Sequence, residues 1–77
     1  MEWLETNIPA MIAIRRAQGL SQRELAKLAG IHYSTISLIE KGNRNPSDKV
    51  GNKIAKALDV PRAAIFFTRS DDICQRA

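Results

Sequence analysis

A short segment of the chain carries polar side chains on one side and isoleucines on the other. Tyr33, Ser34, Ser37 and Lys41 lie at helical spacing. Hydroxyl groups can donate or accept hydrogen bonds at base edges in the major groove, and a cation can meet a phosphate. Because the opposite side of the segment is apolar, the pattern predicts a helix with a buried back and a polar front. Such a helix is suited to entering a DNA major groove.

The residues around this segment predict a second helix ahead of it and a tight turn between the two. Ser21 and Glu24 have the spacing of a capping box, which begins a helix, and Gly30 can end it by adopting a positive φ. The helix that would read DNA follows over about 32–41, with isoleucines on its buried side. Together they predict a helix-turn-helix unit over about 21–42.

The rest of the sequence predicts further short helices packed around this unit. The five predicted helices run over about 8–18, 21–28 and 32–41, from a Ser47 cap, and from Pro61 to Ile65 or Phe67. Since no strand pattern is present, we expect an all-α fold, a compact bundle of about five short helices. The predicted domain covers 1–67, and 68–77 form a polar C-terminal tail.

Length and composition restrict the chain to one small domain without a catalytic centre. Its 77 residues include one histidine and one cysteine, Cys74, which excludes an internal disulfide and a cysteine-based zinc site. With no clustered carboxylates and no phosphate-cradling glycine loop, we expect no enzyme activity, cofactor, metal or small-molecule ligand. No apolar run approaches the ~18 residues that span a bilayer, and no signal-peptide pattern is present, so we expect a cytoplasmic protein.

The net charge of +4 is modest, but cations cluster around the segment that would read DNA. They are Arg15, Arg16, Arg23 and Lys27 before it, and Lys41, Arg44, Lys49, Lys53 and Lys56 after it. Lys41 and Arg44 are the strongest candidates for phosphate contacts on charge alone. The other reading, a solvated helix face, remains open for the later lysines and for Arg23 and Lys27.

A longer pattern supports the same interpretation. Its residues are Arg15, Gly19-Leu20-Ser21-Gln22, Glu24-Leu25-Ala26, Gly30-Ile31, Ile36-Ser37, Glu40-Lys41-Gly42, Asn45-Pro46-Ser47, Ile54-Ala55, Ala57-Leu58 and Val60. From Arg15 to Phe66 the chain thereby resembles the lambda/434-repressor-like helix-turn-helix family, also called the XRE family. The resemblance implies a lambda-repressor-like fold, binding of double-stranded DNA and a homodimer. The length fits a phage or plasmid repressor, an antitoxin or a restriction–modification controller protein.

The resemblance also implies roles for particular residues. Base contacts would come from Tyr33, Ser34, Ser37 and Leu38. Phosphate contacts would come from Gln22, Arg23, His32, Thr35, Lys41, Asn43 and Arg44. For Thr35 a bond to its own helix backbone is the alternative, and for His32 an ordinary surface position.

Two further groups of residues have structural roles in the family. Arg15 and Glu40 match a partly buried ion pair that links the first helix to the third. Ile65, Phe66 and Phe67 match a region that often supplies the dimer contact, although all three could instead belong to the core of the monomer.

One position departs from the family pattern. The family usually has a leucine four residues before the alanine that matches Ala55, and this chain has Gly51. A missing leucine would forgo about 2–3 kcal/mol of burial. We therefore expect Trp3, Phe66 or Phe67 to pack over Gly51, with Trp3 as the first choice.

Two classes of function follow from the sequence. The first is a dimeric, repressor-type transcriptional regulator that places its third helix in the major groove of a near-palindromic operator. The second is a protein-interaction module, such as an antitoxin that binds a partner protein. Salt dependence separates them, because binding to phosphates weakens steeply with ionic strength and an apolar interface does not.

Overall fold

Four α-helices form the body of the computed structural model, which describes residues 4–68. The elements in chain order are strand β1 (Leu4–Thr6), helices α1 (Ile8–Ala17), α2 (Gln22–Ala29), α3 (Tyr33–Glu40) and α4 (Asp48–Ala57), a 3₁₀ turn (Arg62–Ala64) and strand β2 (Phe66–Thr68). The helical bundle is confirmed, and the expected number of about five helices is a slight overcount. Between residues 4 and 68, no helix has the length and apolar character needed to cross a membrane.

The expected fifth helix and the expected absence of strands are wrong. After the short 3₁₀ turn the chain extends, and β2 pairs antiparallel with β1 in a two-stranded sheet. The register joins Leu4 to Thr68, Glu5 to Phe67 and Thr6 to Phe66. Each strand has only three residues, so neither shows the alternating pattern by which strands are recognised in a sequence.

The helices begin and end where short-range signals in the sequence place them. Ser21 forms a full capping box at the start of α2, and Ser47 caps α4 by accepting a hydrogen bond from the backbone N–H of Val50. Hydrogen bonds from the backbone N–H and the hydroxyl of Ser21 lower the pKa of the Glu24 carboxyl. Gly30 ends α2 with a φ of 73°, which a residue with a Cβ rarely adopts.

The core lies between the helices and the sheet. Its largest fully buried side chains are Leu4, Met11, Leu25, Ile36, Ile39, Ile54, Leu58, Ile65 and Phe66. Ile36 and Ile39 seat the back of α3 in this core, as their spacing predicts. Leu28 of α2 lies outside this core and is 61% exposed.

The space at Gly51 is filled from β1. Gly51 is buried on α4, and a Cβ added there would overlap Cδ1 of Leu4 and lie 3.5 Å from Cδ2 of Phe66. We call this arrangement the Leu4–Gly51 contact. Phe66 was among the expected side chains and Leu4 was not, while Trp3 lies outside the described residues.

Candidate nucleic-acid interface

Helix α3 presents an outward face opposite its buried isoleucines. Tyr33 is 42% exposed and Leu38 is 36% exposed. Ser34 is also exposed and Ser37 is half-buried. The four side chains expected at base edges therefore lie on one eight-residue helix, and all of them are at least partly accessible.

The C-terminal end of α3 is fixed by a network of charged hydrogen bonds. Nε of Arg15 donates to Oε2 of Glu40 at 2.8 Å, and Nη2 donates to Oε1 at 3.2 Å. Nη1 of Arg15 donates to the carbonyl oxygen of Leu20 at 2.7 Å. The side chains of Arg15 and Glu40 are only 10% and 5% exposed. The ion pair that the resemblance implies is therefore present, and it ties α3 to α1.

Gln22 completes this network from the first turn of α2. Its Nε2 donates to Oε1 of Glu40 at 2.9 Å, and its side chain is half-buried. We call Arg15, Gln22 and Glu40 the Glu40 network. The sequence predicts a phosphate contact for Gln22 but not this bond, so Gln22 also supports the orientation of α3 relative to α2.

His32 organises the opposite, N-terminal end of α3. Its Nδ1 accepts a hydrogen bond from the backbone N–H of Ser34 at 3.1 Å, which makes it the N-cap of the helix. The same Nδ1 lies 2.8 Å from Oγ of Ser34. The imidazole also stacks on the ring of Tyr33, with centroids 5.2 Å apart and planes 27° apart. The structure gives His32 a capping role in addition to the two that were expected from the sequence, a phosphate contact or an ordinary surface position.

Arg23 of α2 reaches the same end of α3. Its guanidinium carbon lies 4.7 Å from the centroid of the Tyr33 ring, within the range of a cation–π interaction. Sequence spacing gave no sign of this contact, because it crosses the turn between the two helices. The expected phosphate role of Arg23 stays a prediction, and its guanidinium also supports Tyr33.

The other expected phosphate-binding residues lie in or next to α3. Lys41, Asn43 and Arg44 are exposed, whereas Thr35 is half-buried. The backbone N–H of Asn43 donates to the carbonyl oxygen of Leu38 at 2.9 Å, which folds the chain back against the end of the helix. Two positive side chains and one amide thus follow directly after the helix that would enter the groove.

The expected dimer residues separate into two groups. Ile65 and Phe66 are 0% and 1% exposed, so the expectation of a dimer contact is wrong for these two residues. Their side chains belong to the monomer core, where they pack with Leu4 and α4. Phe67 is 55% exposed and remains available for a partner.

Comparison with known proteins agrees with this arrangement. A family model described as helix-turn-helix matches residues 11–65. An uncharacterized HTH-type transcriptional regulator of Methanocaldococcus jannaschii is 41% identical over 58 residues, which cover 75% of this chain and 88% of that protein. The uncharacterized HTH-type transcriptional regulator YqaF of Bacillus subtilis is 36% identical over 73 residues, covering 95% of this chain and 82% of that protein. The crystal structure of the restriction-modification controller protein C.AhdI from Aeromonas hydrophila superposes with a TM-score of 0.71 at 37% identity, covering 74% of this chain and 86% of that chain.

Proposed function

The chain belongs to the helix-turn-helix family, also called the XRE family, and on that premise we propose that it is a DNA-binding regulator of transcription. It acts as a homodimer of the repressor type. Each subunit inserts α3 into a major groove of a near-palindromic operator whose half-sites lie about one helical turn, ~34 Å, apart.

This proposal rests on the accessible outward face of α3 together with the contacts that fix the orientation of the helix. Ile36 and Ile39 bury the back of the helix, and the Glu40 network holds its end to α1 and α2. A base reader needs this rigidity because hydrogen bonds to base edges tolerate little misplacement.

Phosphate contacts follow from the charges on either side of α3. Lys41 and Arg44 are exposed directly after the helix, and Arg23 is exposed in the first turn of α2, ahead of it. Binding through about 4–8 phosphates per dimer should fall steeply as salt concentration rises.

Selection of bound sequences from a random DNA pool tests the proposal directly. We expect the selected molecules to share a half-site sequence that occurs twice, in inverted orientation. Ser37→Ala should change the selected bases at one position, whereas Arg44→Gln should weaken binding to all sequences about equally and reduce the salt slope. A pool that yields no consensus for the wild-type chain would remove the proposal.

The homodimer rests on the exposed ring of Phe67 in β2. We expect Phe67→Thr, which keeps a residue that favours strands, to convert the dimer to a monomer in sedimentation equilibrium and to weaken operator binding. Leu28→Gln is the matched control, since it also removes a large exposed apolar side chain, and it should leave the mass unchanged. A wild-type monomer at operator-saturating concentrations would contradict the dimer while leaving DNA binding intact.

The second candidate is a module that binds another protein, such as a toxin, and the exposed apolar side chains of Phe67 and Leu28 favour it. Association through an apolar surface would persist at high salt, unlike DNA binding. Among the regulatory roles, the likeness to C.AhdI favours a controller protein. Specific binding upstream of the chain's own gene would support that role.

A further inference from the structure

One ring nitrogen of the chain's single histidine lies close to both the backbone N–H and the hydroxyl of Ser34. Nδ1 of His32 lies 3.1 Å from the backbone nitrogen of Ser34 and 2.8 Å from its Oγ. Both distances are within hydrogen-bond range. Since Ser34 lies on the outward front of α3, the way in which these bonds are arranged decides what its hydroxyl can offer to DNA.

One arrangement of protons satisfies both distances, and in it the N–H and the hydroxyl of Ser34 share the lone pair of Nδ1. A backbone N–H can only donate, so Nδ1 must be the acceptor and the imidazole proton must sit on Nε2. An unprotonated Nδ1 has no hydrogen for Oγ of Ser34. The hydroxyl of Ser34 therefore donates to Nδ1, and its proton is no longer available to another partner.

We propose that His32 makes Ser34 an acceptor-only reader of the operator. With its proton bound to His32, Oγ retains only lone pairs for an outside partner. Its partner on DNA is then an exocyclic amino group, N6 of adenine or N4 of cytosine, since these are the donors that base pairs present in the major groove. The inference rests on the proposed function, and it gives His32 the role of a positioning residue.

This assignment restricts the hydroxyl of Ser34, which could otherwise donate or accept, to accepting a hydrogen bond from DNA. A free serine hydroxyl can donate to the N7 and O6 of guanine or the O4 of thymine as well as accept from an amino group. When its proton is bound to His32, Oγ of Ser34 can form a hydrogen bond only where the base pair presents its amino group. Each base pair carries one such group in the major groove, on adenine or on cytosine, so its position relative to Oγ sets the preference.

The test begins by locating the base pair that Ser34 contacts. Ser34→Ala in the random-pool selection identifies it as the pair whose preference is lost. In that operator position the amino group is then deleted, by purine in place of adenine or 2-pyrimidinone in place of cytosine. In a separate duplex N7 is deleted with a 7-deazapurine. We expect the wild-type chain to bind the amino-deleted operator about 5- to 10-fold more weakly, and the 7-deaza operator within about twofold.

Two substitutions of His32 show whether this residue restricts the Ser34 hydroxyl to accepting a hydrogen bond from DNA. Asn and Gly are both favoured at an N-cap, but only Asn carries a side-chain acceptor. His32→Asn should keep the penalty for the missing amino group. His32→Gly frees the hydroxyl of Ser34 to donate, so the penalty should fall below about twofold. A role in helix stability alone would not separate the two variants in this way.

Other results overturn the inference without touching the proposed function. A wild-type chain that tolerates loss of the amino group but not of N7 would have Ser34 donating. An equal penalty in His32→Gly and His32→Asn would show that His32 has no influence on the direction. Ser34→Ala with unchanged base preferences would remove Ser34 as a reader. In each case a conserved operator for the wild-type chain keeps the proposed function, and only the lack of one would defeat it.

Discussion

Helices α3 and α4 are held in the fold by contacts of opposite character. The end of α3 is fixed by Arg15 and Gln22, which donate hydrogen bonds to a nearly buried Glu40 carboxylate. Helix α4 is instead covered by an apolar side chain, since Leu4 of β1 lies against Gly51. Charged hydrogen bonds therefore orient α3, whereas close apolar packing orients α4.

The difference matters for the proposed function, in which only α3 has to be presented to DNA at a fixed angle. Hydrogen bonds to a carboxylate are directional, so the Glu40 network sets the rotation of α3 as well as its position. Apolar packing is not directional and serves a helix that only has to cover the core. We therefore expect the two regions to respond differently to substitution and to compensation.

The largest effect is expected from Glu40→Ala. It leaves the guanidinium of Arg15 without its carboxylate in a site where that side chain is 10% exposed. Such a loss costs about 3–5 kcal/mol and would lower the melting temperature of a domain of this size by more than about 12 °C. Thermal unfolding followed by circular dichroism measures it.

The matched control for Glu40 is Asp48, whose ion pair with Arg62 lies on the surface. These side chains are 59% and 36% exposed, and the pair has a distance of 3.2 Å. Asp48→Ala should cost at most about 1 kcal/mol. If Glu40→Ala were no more destabilising than this control and weakened only DNA binding, the structural role of the network would be wrong.

Leu4→Ala is expected to have the next largest effect. Leu4 is fully buried, so truncation removes apolar contacts and opens a cavity over Gly51. We expect a loss of about 2–4 kcal/mol in urea unfolding. Leu28→Ala, a truncation of a leucine that is 61% exposed, should change stability by less than about 0.5 kcal/mol. Similar losses for the two variants would contradict the Leu4–Gly51 contact.

Gly51→Ala is expected to have a smaller effect on stability, and its sign should differ between the wild-type chain and the Leu4→Ala variant. In the wild-type chain Gly51→Ala adds a Cβ that overlaps Leu4, and this strain outweighs the gain in helix propensity, for a net loss of about 1 kcal/mol. In the Leu4→Ala background the strain disappears, and the same substitution should stabilise by about 1 kcal/mol. A double-mutant cycle measures the reversal. The same sign in both backgrounds would show that Leu4 does not occupy the space.

The smallest effect is expected from the charge of Glu24 at the start of α2. Hydrogen bonds from Ser21 lower the pKa of its carboxyl in the folded chain, so its contribution to stability is present at neutral pH. That contribution is lost as pH falls from the ordinary value through the lowered pKa. Glu24→Gln keeps a capping-box acceptor and removes only the charge. The stability difference between wild type and this variant should shrink over that acidic range, and a constant difference would contradict the linkage.

The helix-turn-helix unit was predictable because its signals are local. Ser21, Glu24 and Gly30 act within one turn of their own positions, and Ile36 and Ile39 show the helical period directly. The pairing of Arg15 with Glu40 could not be read from spacing alone and came from the resemblance to the family.

The missed features depend on contacts between residues that are distant in sequence. Nothing near Leu4 indicates that it pairs with Thr68 or lies on Gly51. The contact between Arg23 and Tyr33 likewise depends on the angle at which α2 and α3 cross. Sequence patterns therefore located the candidate reading helix, while the side chains that support its outward face became visible only in three dimensions.

The register that joins Leu4 to Thr68 has a consequence for how the protein is made. On the ribosome, α1 to α3 emerge and can associate early, but β1 must wait until β2 has been synthesised. Closing so long a loop is entropically costly, so we expect the sheet to form last during folding and to open first in native-state hydrogen exchange. Until it closes, Leu4 does not cover Gly51, and the nascent chain exposes apolar side chains that are buried in the folded protein.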